Sequence, residues 1–166
     1  MFVAHLPAGY LAATAALRRA APEPRLRRRL LGVALAASVA PDLDLAYFYA
    51  SGRQEHHHAL FPHWPSVWIA LTLVGLAVAA ARKSRPLALA SLFAGGGGLL
   101  HLVLDSIAGS VRWGAPWSAA ETTLVVVPPH TGWWISSMVL HWTFAVELAI
   151  VAAAALVWWR RRSPRR

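Results

Sequence analysis

His101-Leu102-Val103-Leu104-Asp105 lies late in an apolar run, Pro86 to Ala108, that is long enough to cross a bilayer. The two ionisable residues are four apart, so on a helix they stack on one face about one turn from each other. An imidazole and a carboxylate held in this way can grip one metal ion or bridge two. The plainer alternative is an intramembrane His–Asp hydrogen bond that fixes helix packing. Ionisable groups inside a membrane segment are costly and are usually kept for a reason, so the choice turns on where the other histidines and aspartates fall.

Around this stretch the chain of 166 residues is 57% hydrophobic and 14% charged, the composition of a helical membrane protein rather than of a soluble domain. Its length makes one domain, 1–166, with a basic tail at 160–166. No cysteine is present, so disulfides and thiolate metal sites are excluded, and any metal must be held by His and carboxylate. The formal net charge of +9 would suggest nucleic acid if it covered one soluble face. Instead, 14 of the 16 basic residues lie in three clusters beside apolar runs: Arg18 to Arg29, Arg82 to Arg85 and Arg160 to Arg166. Cytoplasmic loops look like this under the positive-inside rule, and no nucleic-acid partner is expected. Met1 to Leu17 has no basic stretch ahead of its apolar residues, which argues against a cleaved signal peptide.

The spacing predicts an all-α integral membrane bundle of about five helices, the first two short. The first starts near His5 and Pro7 and ends near Arg18-Arg19; its apolar part, ~18–22 Å long, falls short of a ~30 Å hydrocarbon core. The second runs from about Arg25 to Ala40, where Pro41 stops it. A Pro41-Asp42-Leu43-Asp44 turn, an aromatic patch (Tyr47, Phe48, Tyr49) and a His-rich segment, Glu55 to Pro65, follow. The third helix covers Ser66 to about Ala81 and the fourth Pro86 to Ala108. Within the fourth, Gly95 to Gly98 are expected to serve close backbone approach or a bend beneath the His101/Asp105 level. Ser110 to Gly132 reads as an interfacial loop with Trp113, Trp117, Trp133 and Trp134 as anchors, and Leu124 to Val127 as a short strand at most. The last helix is predicted over Ile135 to Trp159.

Placing the basic clusters in the cytoplasm sends successive helices in alternating directions. All eight histidines (His5, His56, His57, His58, His63, His101, His130, His141) then fall at the opposite, non-cytoplasmic end. Asp42, Asp44, Glu55, Asp105, Glu121 and Glu147 join them, leaving only Glu23 inside. Flipping the protein moves the whole set together, so this co-location does not depend on orientation. His5, Asp42, Asp44, His58, His63, His101 and Asp105 are more ligands than one tetrahedral ion needs, and a two-metal cluster with a bridging carboxylate fits the count. Asp44 is the preferred ligand of its pair, with Asp42 a second ligand or an orienting partner. His56, His57 and His130 read as surface or outer residues, and His141 as a hydrogen-bonding group between helices. Arg53 and Arg112 are the cations on the site side and are candidates for clamping a phosphate.

With these residues in place, the chain resembles the YdjM-like family of membrane-bound metal-dependent hydrolases. The resemblance rests on an early His5, Pro41-Asp42-Leu43-Asp44, the pair His58 and His63, and His101 with Asp105, in the family's order over residues 5–105. The second histidine block departs from the pattern: His58-Ala59-Leu60-Phe61-Pro62-His63 stands where the family often has His-Arg-Gly-x-Thr-His. More distantly, the His-x-x-x-Asp motif is similar to that of zinc-dependent phospholipases C and single-strand nucleases, whose second copy is absent here. The resemblance implies an inner-membrane hydrolase that uses one or two divalent ions, zinc by its His/Asp ligands, on a phosphoester. A site at membrane depth implies a lipid-linked substrate, with membrane lipid as the partner. Arg112 or Arg53 would steady the charge, and Glu55 or Asp42 would carry the leaving-group proton. Two other classes remain open: a divalent-cation transporter, and a membrane protein whose metal is purely structural.

Overall fold

Apolar runs bounded by proline, serine and basic clusters become helices in the computed structural model, which describes residues 1, 3–20, 22–51, 57–128 and 134–162. Among these residues the α-helices are α1 (His5–Ala20), α2 (Pro24–Ala37), α3 (Asp44–Ser51), α4 (Pro65–Ala81), α5 (Arg85–Ala108), α6 (Trp134–Leu140) and α7 (Thr143–Arg162). Three short 3₁₀ turns, Pro41–Leu43, His57–Ala59 and Phe61–His63, interrupt them near the site. Capping sets several starts. Glu23 accepts the N–H groups of Arg25 and Leu26 ahead of α2, and Ser84 accepts that of Leu87 ahead of α5, satisfying donors that the first helical turn leaves open.

The all-α membrane architecture stands, with differences in detail. α5 and α7 are long and apolar enough to cross a membrane, and α2 with the Pro41–Ser51 segment would form a third span bent by 51°. α3 was expected only as an aromatic patch. The single last helix is instead two, broken at His141-Trp142. There the His141 Nδ1 lies 3.0 Å from Thr143 Oγ1 and accepts the Thr143 N–H at 3.4 Å. His141 therefore caps α7 locally rather than reaching between helices. No strand forms among the described residues. Val111 and Thr122 make one isolated antiparallel bridge, and the valine run sends the N–H groups of Leu124 and Val125 to the carbonyls of Ser106 and Ile107. Those carbonyls end α5 and have no partner within the helix, so the loop closes the helix end.

α5 is the central element, touching α1, α2 and α4. Close approach there needs glycine. A Cβ on Gly98 would fall 2.0 Å from the Trp68 ring of α4, and one on Gly97 2.7 Å from the Ala34 carbonyl of α2. α5 runs antiparallel to α1: Asp105 near its end meets His5 at the start of α1, while Arg85 at its start reaches the Ala20 carbonyl. α4 turns Ile69, Leu71, Leu73, Val74 and Val78 outward, the face a helix shows to lipid rather than to water. Arg18 and Arg19 end α1, Arg25 to Arg29 begin α2, Arg82 and Arg85 join α4 to α5, and Arg160 to Arg162 end α7. All lie at the bundle end opposite His5, His63 and Asp105.

Candidate metal centre

Five separate segments bring the site together. His5 is the first residue of α1, Asp42 sits in the 3₁₀ turn after α2, and His58 and His63 belong to the two turns before α4. His101 and Asp105 lie on the last turns of α5, one turn apart. Two apolar clusters flank them, one with Ala4, Ala8 and Leu104, the other with Ala37, Trp68 and Leu102. His63, His101 and Asp105 are fully buried and His5 and His58 nearly so, whereas the Asp42 side chain is 31% exposed. Asp42 therefore marks the side from which solvent reaches the group.

The Asp105 carboxylate is the hub. Its Oδ1 lies 3.0 Å from His5 Nε2, and its Oδ2 lies 2.9, 3.5 and 3.6 Å from the Nε2 atoms of His101, His58 and His63. Asp42 repeats the division: its Oδ2 is 3.6 Å from His5 Nδ1, and its Oδ1 is 3.5 Å from His101 Nε2 and 3.8 Å from His63 Nε2. Each carboxylate thus has one oxygen toward His5 and the other toward His63 and His101, with Asp105 reaching His58 as well. Asp42, His63, His101 and Asp105 can each offer one ligand atom within 4.8 Å of the others.

Three of the imidazoles are oriented from behind. His101 Nδ1 is 2.9 Å from the Ser38 carbonyl, His58 Nδ1 is 2.9 Å from the Ser110 carbonyl, and His63 Nδ1 is 2.9 Å from Asp44 Oδ2. A carbonyl oxygen only accepts, so Nδ1 of His101 and of His58 carries the proton and their Nε2 lone pairs face the cluster. A ring nitrogen bonded outward and a lone pair turned inward are the usual arrangement of a metal-binding histidine. His5 has no such partner; it stacks on His101 with ring centroids 3.8 Å apart.

Despite these short separations, both ring nitrogens of His5, Nε2 of His101 and Oδ2 of Asp105 are buried without a hydrogen-bond partner. Buried polar atoms left in this state cost free energy, and a carboxylate in an apolar bundle costs several kcal/mol unless a cation compensates it. The α-amino group of Met1 lies 2.7 Å from Asp105 Oδ1. Oxygen and imidazole donors without sulfur suit zinc and similar divalent ions. The residues fit a metal.

The sequence-predicted residues divide clearly. His5, Asp42, His58, His63, His101 and Asp105 converge. Asp44, the expected ligand, instead lies behind His63 on the ring nitrogen turned away from the cluster, while Asp42 takes the inner place. Arg112 is not turned to the cluster; its guanidinium pairs with Glu121 at 3.1 Å on the exposed rim. Arg53, Glu55, His56, His130 and Trp133 lie outside the described residues, as do the side chains of His57 and Trp134.

Several supporting residues were not legible beforehand. Trp64 and Trp68 donate their indole N–H to the carbonyls of Ala59 and Pro62 and so pin the segment that carries His58 and His63. Trp113 likewise bonds Ser106 of α5 at 2.8 Å as well as facing outward. Buried Glu147 of α7 accepts the backbone N–H groups of Val3 and Ala4, holding the chain where α1 and His5 begin. Aromatic residues next to a histidine-rich segment were the one available signal.

The family model described as YdjM inner membrane protein matches residues 1–165 of the chain. Searches of curated proteins and of solved structures gave no match.

Proposed function

The chain belongs to the YdjM inner membrane protein family, and on that premise we propose that it is a membrane-bound metal-dependent hydrolase. Its substrate is a lipid-linked phosphoester, met at the non-cytoplasmic face of the bilayer. The observation that carries this reading is the set of buried ligand atoms on His5, His101 and Asp105 that face one another with no hydrogen-bond partner. One or two divalent ions, zinc by the donor set, would be held by Asp42, His63, His101 and Asp105, with His5 and His58 against the same carboxylates. Zinc bound there would lower the pKa of water toward ~7 and polarise a phosphoryl oxygen.

The chain's own groups do the rest. The Ser38 and Ser110 carbonyls and the Asp44 carboxylate hold three imidazoles in register. The flanking apolar clusters keep bulk water from the buried side. Asp42, the one carboxylate of the group that solvent partly reaches, is the candidate to carry the leaving-group proton. The open edge at Asp42 favours catalysis over a structural metal, whose shell is closed. Orientation follows from the basic clusters at the far end and the positive-inside rule. The same far end, with Glu23 its one acidic residue and no histidine, offers no relay for a transported cation.

Elemental analysis of purified protein, paired with phosphate release from a panel of lipid phosphates, tests the reading. Zinc at one to two equivalents and chelator-sensitive release by wild type but not by Asp105→Asn are expected. Zinc-loaded wild type that releases no more phosphate than the variant would overturn the hydrolase.

A further inference from the structure

Below the cluster lies a cavity of about 700 Å³ between α1, α2 and α5, within the ~300–1,000 Å³ of small-molecule sites. Its walls continue the faces that carry the ligands. On α1, Gly9, Ala13 and Ala16 follow His5 at spacings of four, four and three; on α5, Gly97 precedes His101 by four; on α2, Ala34 precedes by four the Ser38 whose carbonyl holds His101. Residues so spaced share a helix face, so the groove begins one turn from His5 on α1, from His101 on α5 and from the Ser38 that holds His101 after α2. It runs along α1 from Gly9 to Ala20, ~16 Å at about 1.5 Å per residue, which is one leaflet of a ~30 Å hydrocarbon core. The lining is apolar except for Arg19 at the far end.

We propose that this groove seats one hydrocarbon chain of the lipid substrate, with its phosphate lying at the metal cluster. This rests on the hydrolase reading for the headgroup, while the chain-binding itself needs only the groove. Its surroundings supply the occupant. In a bilayer the solvent for an apolar groove is hydrocarbon, and the donor cluster one helical turn beyond its end favours a lipid carrying phosphate on that side. Glycine and alanine line its α1 side, and Leu92, Phe93 and Leu100 its α5 side. Gly96 offers a clean probe: a Cβ there meets nothing within 4 Å, whereas one on Gly97 would strike the Ala34 carbonyl. Gly96→Leu therefore fills the groove without forcing the helices apart. Gly32, also unobstructed and outside the groove lining, provides the control.

The test is native mass spectrometry of zinc-loaded protein with the dioleoyl phosphonate analogue of phosphatidic acid, which cannot be hydrolysed at its P–C bond. Wild type and Gly32→Leu are expected to retain one lipid, and Gly96→Leu to lose affinity at least tenfold with unchanged zinc content. Arg19→Gln is expected to retain the lipid as wild type does. Equal retention by Gly96→Leu, or no retention by wild type, overturns the proposal. Loss of lipid in Arg19→Gln overturns it in favour of a headgroup at the opposite surface, and a dimer that Gly96→Leu dissolves overturns it in favour of a second copy of the chain. If lipid binding behaves as expected but no lipid phosphate is turned over, the groove stands and the hydrolase falls. Turnover that is equal in Gly96→Leu and wild type, for long-chain and short-chain phosphates alike, has the opposite meaning.

Discussion

The two ends of this bundle carry charge in opposite ways. At one end, His5, His63, His101 and Asp105 are buried and their polar atoms face one another. At the other, Arg18, Arg19, Arg82, Arg85 and Arg160 to Arg162 point to the surface or lie partly exposed, and Arg85 and Arg161 reach only to backbone carbonyls at 3.4 Å. Exposed guanidinium groups are satisfied by water and by lipid phosphates. Among the buried donors, Asp105 Oδ1 meets the α-amino group of Met1, and Asp42, His63, His101 and Asp105 could together hold a cation. Charge that is cheap to keep sets where the protein sits; charge that is costly to keep is where its chemistry belongs.

That contrast can be broken most severely at Asp105. Asp105→Asn removes the hub charge and should lower metal affinity by more than the ~10–100-fold that loss of an outer partner costs, leaving zinc near zero by elemental analysis with membrane insertion intact. Full zinc content in that variant would break the comparison at once. Chelation comes next. Because the ligands come from segments spread over residues 5–105, metal removal should lower thermal stability, by about 4 kcal/mol if the ion is present at 1,000 times its Kd, and zinc should restore it in a melting experiment.

His5→Ala sharpens the division within the site. It should lower the zinc measured by less than His101→Ala does, because His5 stands outside the four ligand atoms that lie within 4.8 Å of one another; a larger loss in His5→Ala would put His5 at the centre of the site instead. Asp44→Ala is milder. Freeing His63 Nδ1 should weaken binding by about 10–100-fold in a competition titration, and Asp44→Asn, whose amide oxygen still accepts the ring N–H, should recover most of it. The smallest effect belongs to the basic end. Replacing Arg160, Arg161 and Arg162 by Gln should leave zinc content unchanged, so a loss of metal there would show that the two ends are coupled.

The sequence made α5 and its pair legible because both rest on simple periodicity: an apolar run and a spacing of four. Co-location of the histidines was legible too, since alternating helices sort residues by end whatever the packing. The roles of Asp42 and Asp44 were not. In a 3₁₀ turn of three residues per turn, residues two apart cannot face one point, and which faces inward depends on where the turn passes into α3. The roles of Trp64 and Trp68 were not legible either, because a tryptophan at a helix end reads equally as an interface anchor and as a clamp on the preceding loop. The break before α7 depends on a local His141–Thr143 contact inside an otherwise continuous apolar pattern. Asp105 was visible from its spacing, but the Glu147 support for α1 joins residues more than 140 apart and leaves no periodic trace.

The site's ligands are scattered through the chain, and that has a consequence for biogenesis. At roughly 5–20 residues per second of translation, His5 leaves the ribosome ~5–20 s before Asp105 does. For that interval the early histidines and aspartates are near a membrane without their central carboxylate, and no complete shell exists to trap an ion. The full set of donors exists only once α5 has been inserted, which makes its arrival the natural checkpoint between a nascent chain and a finished one.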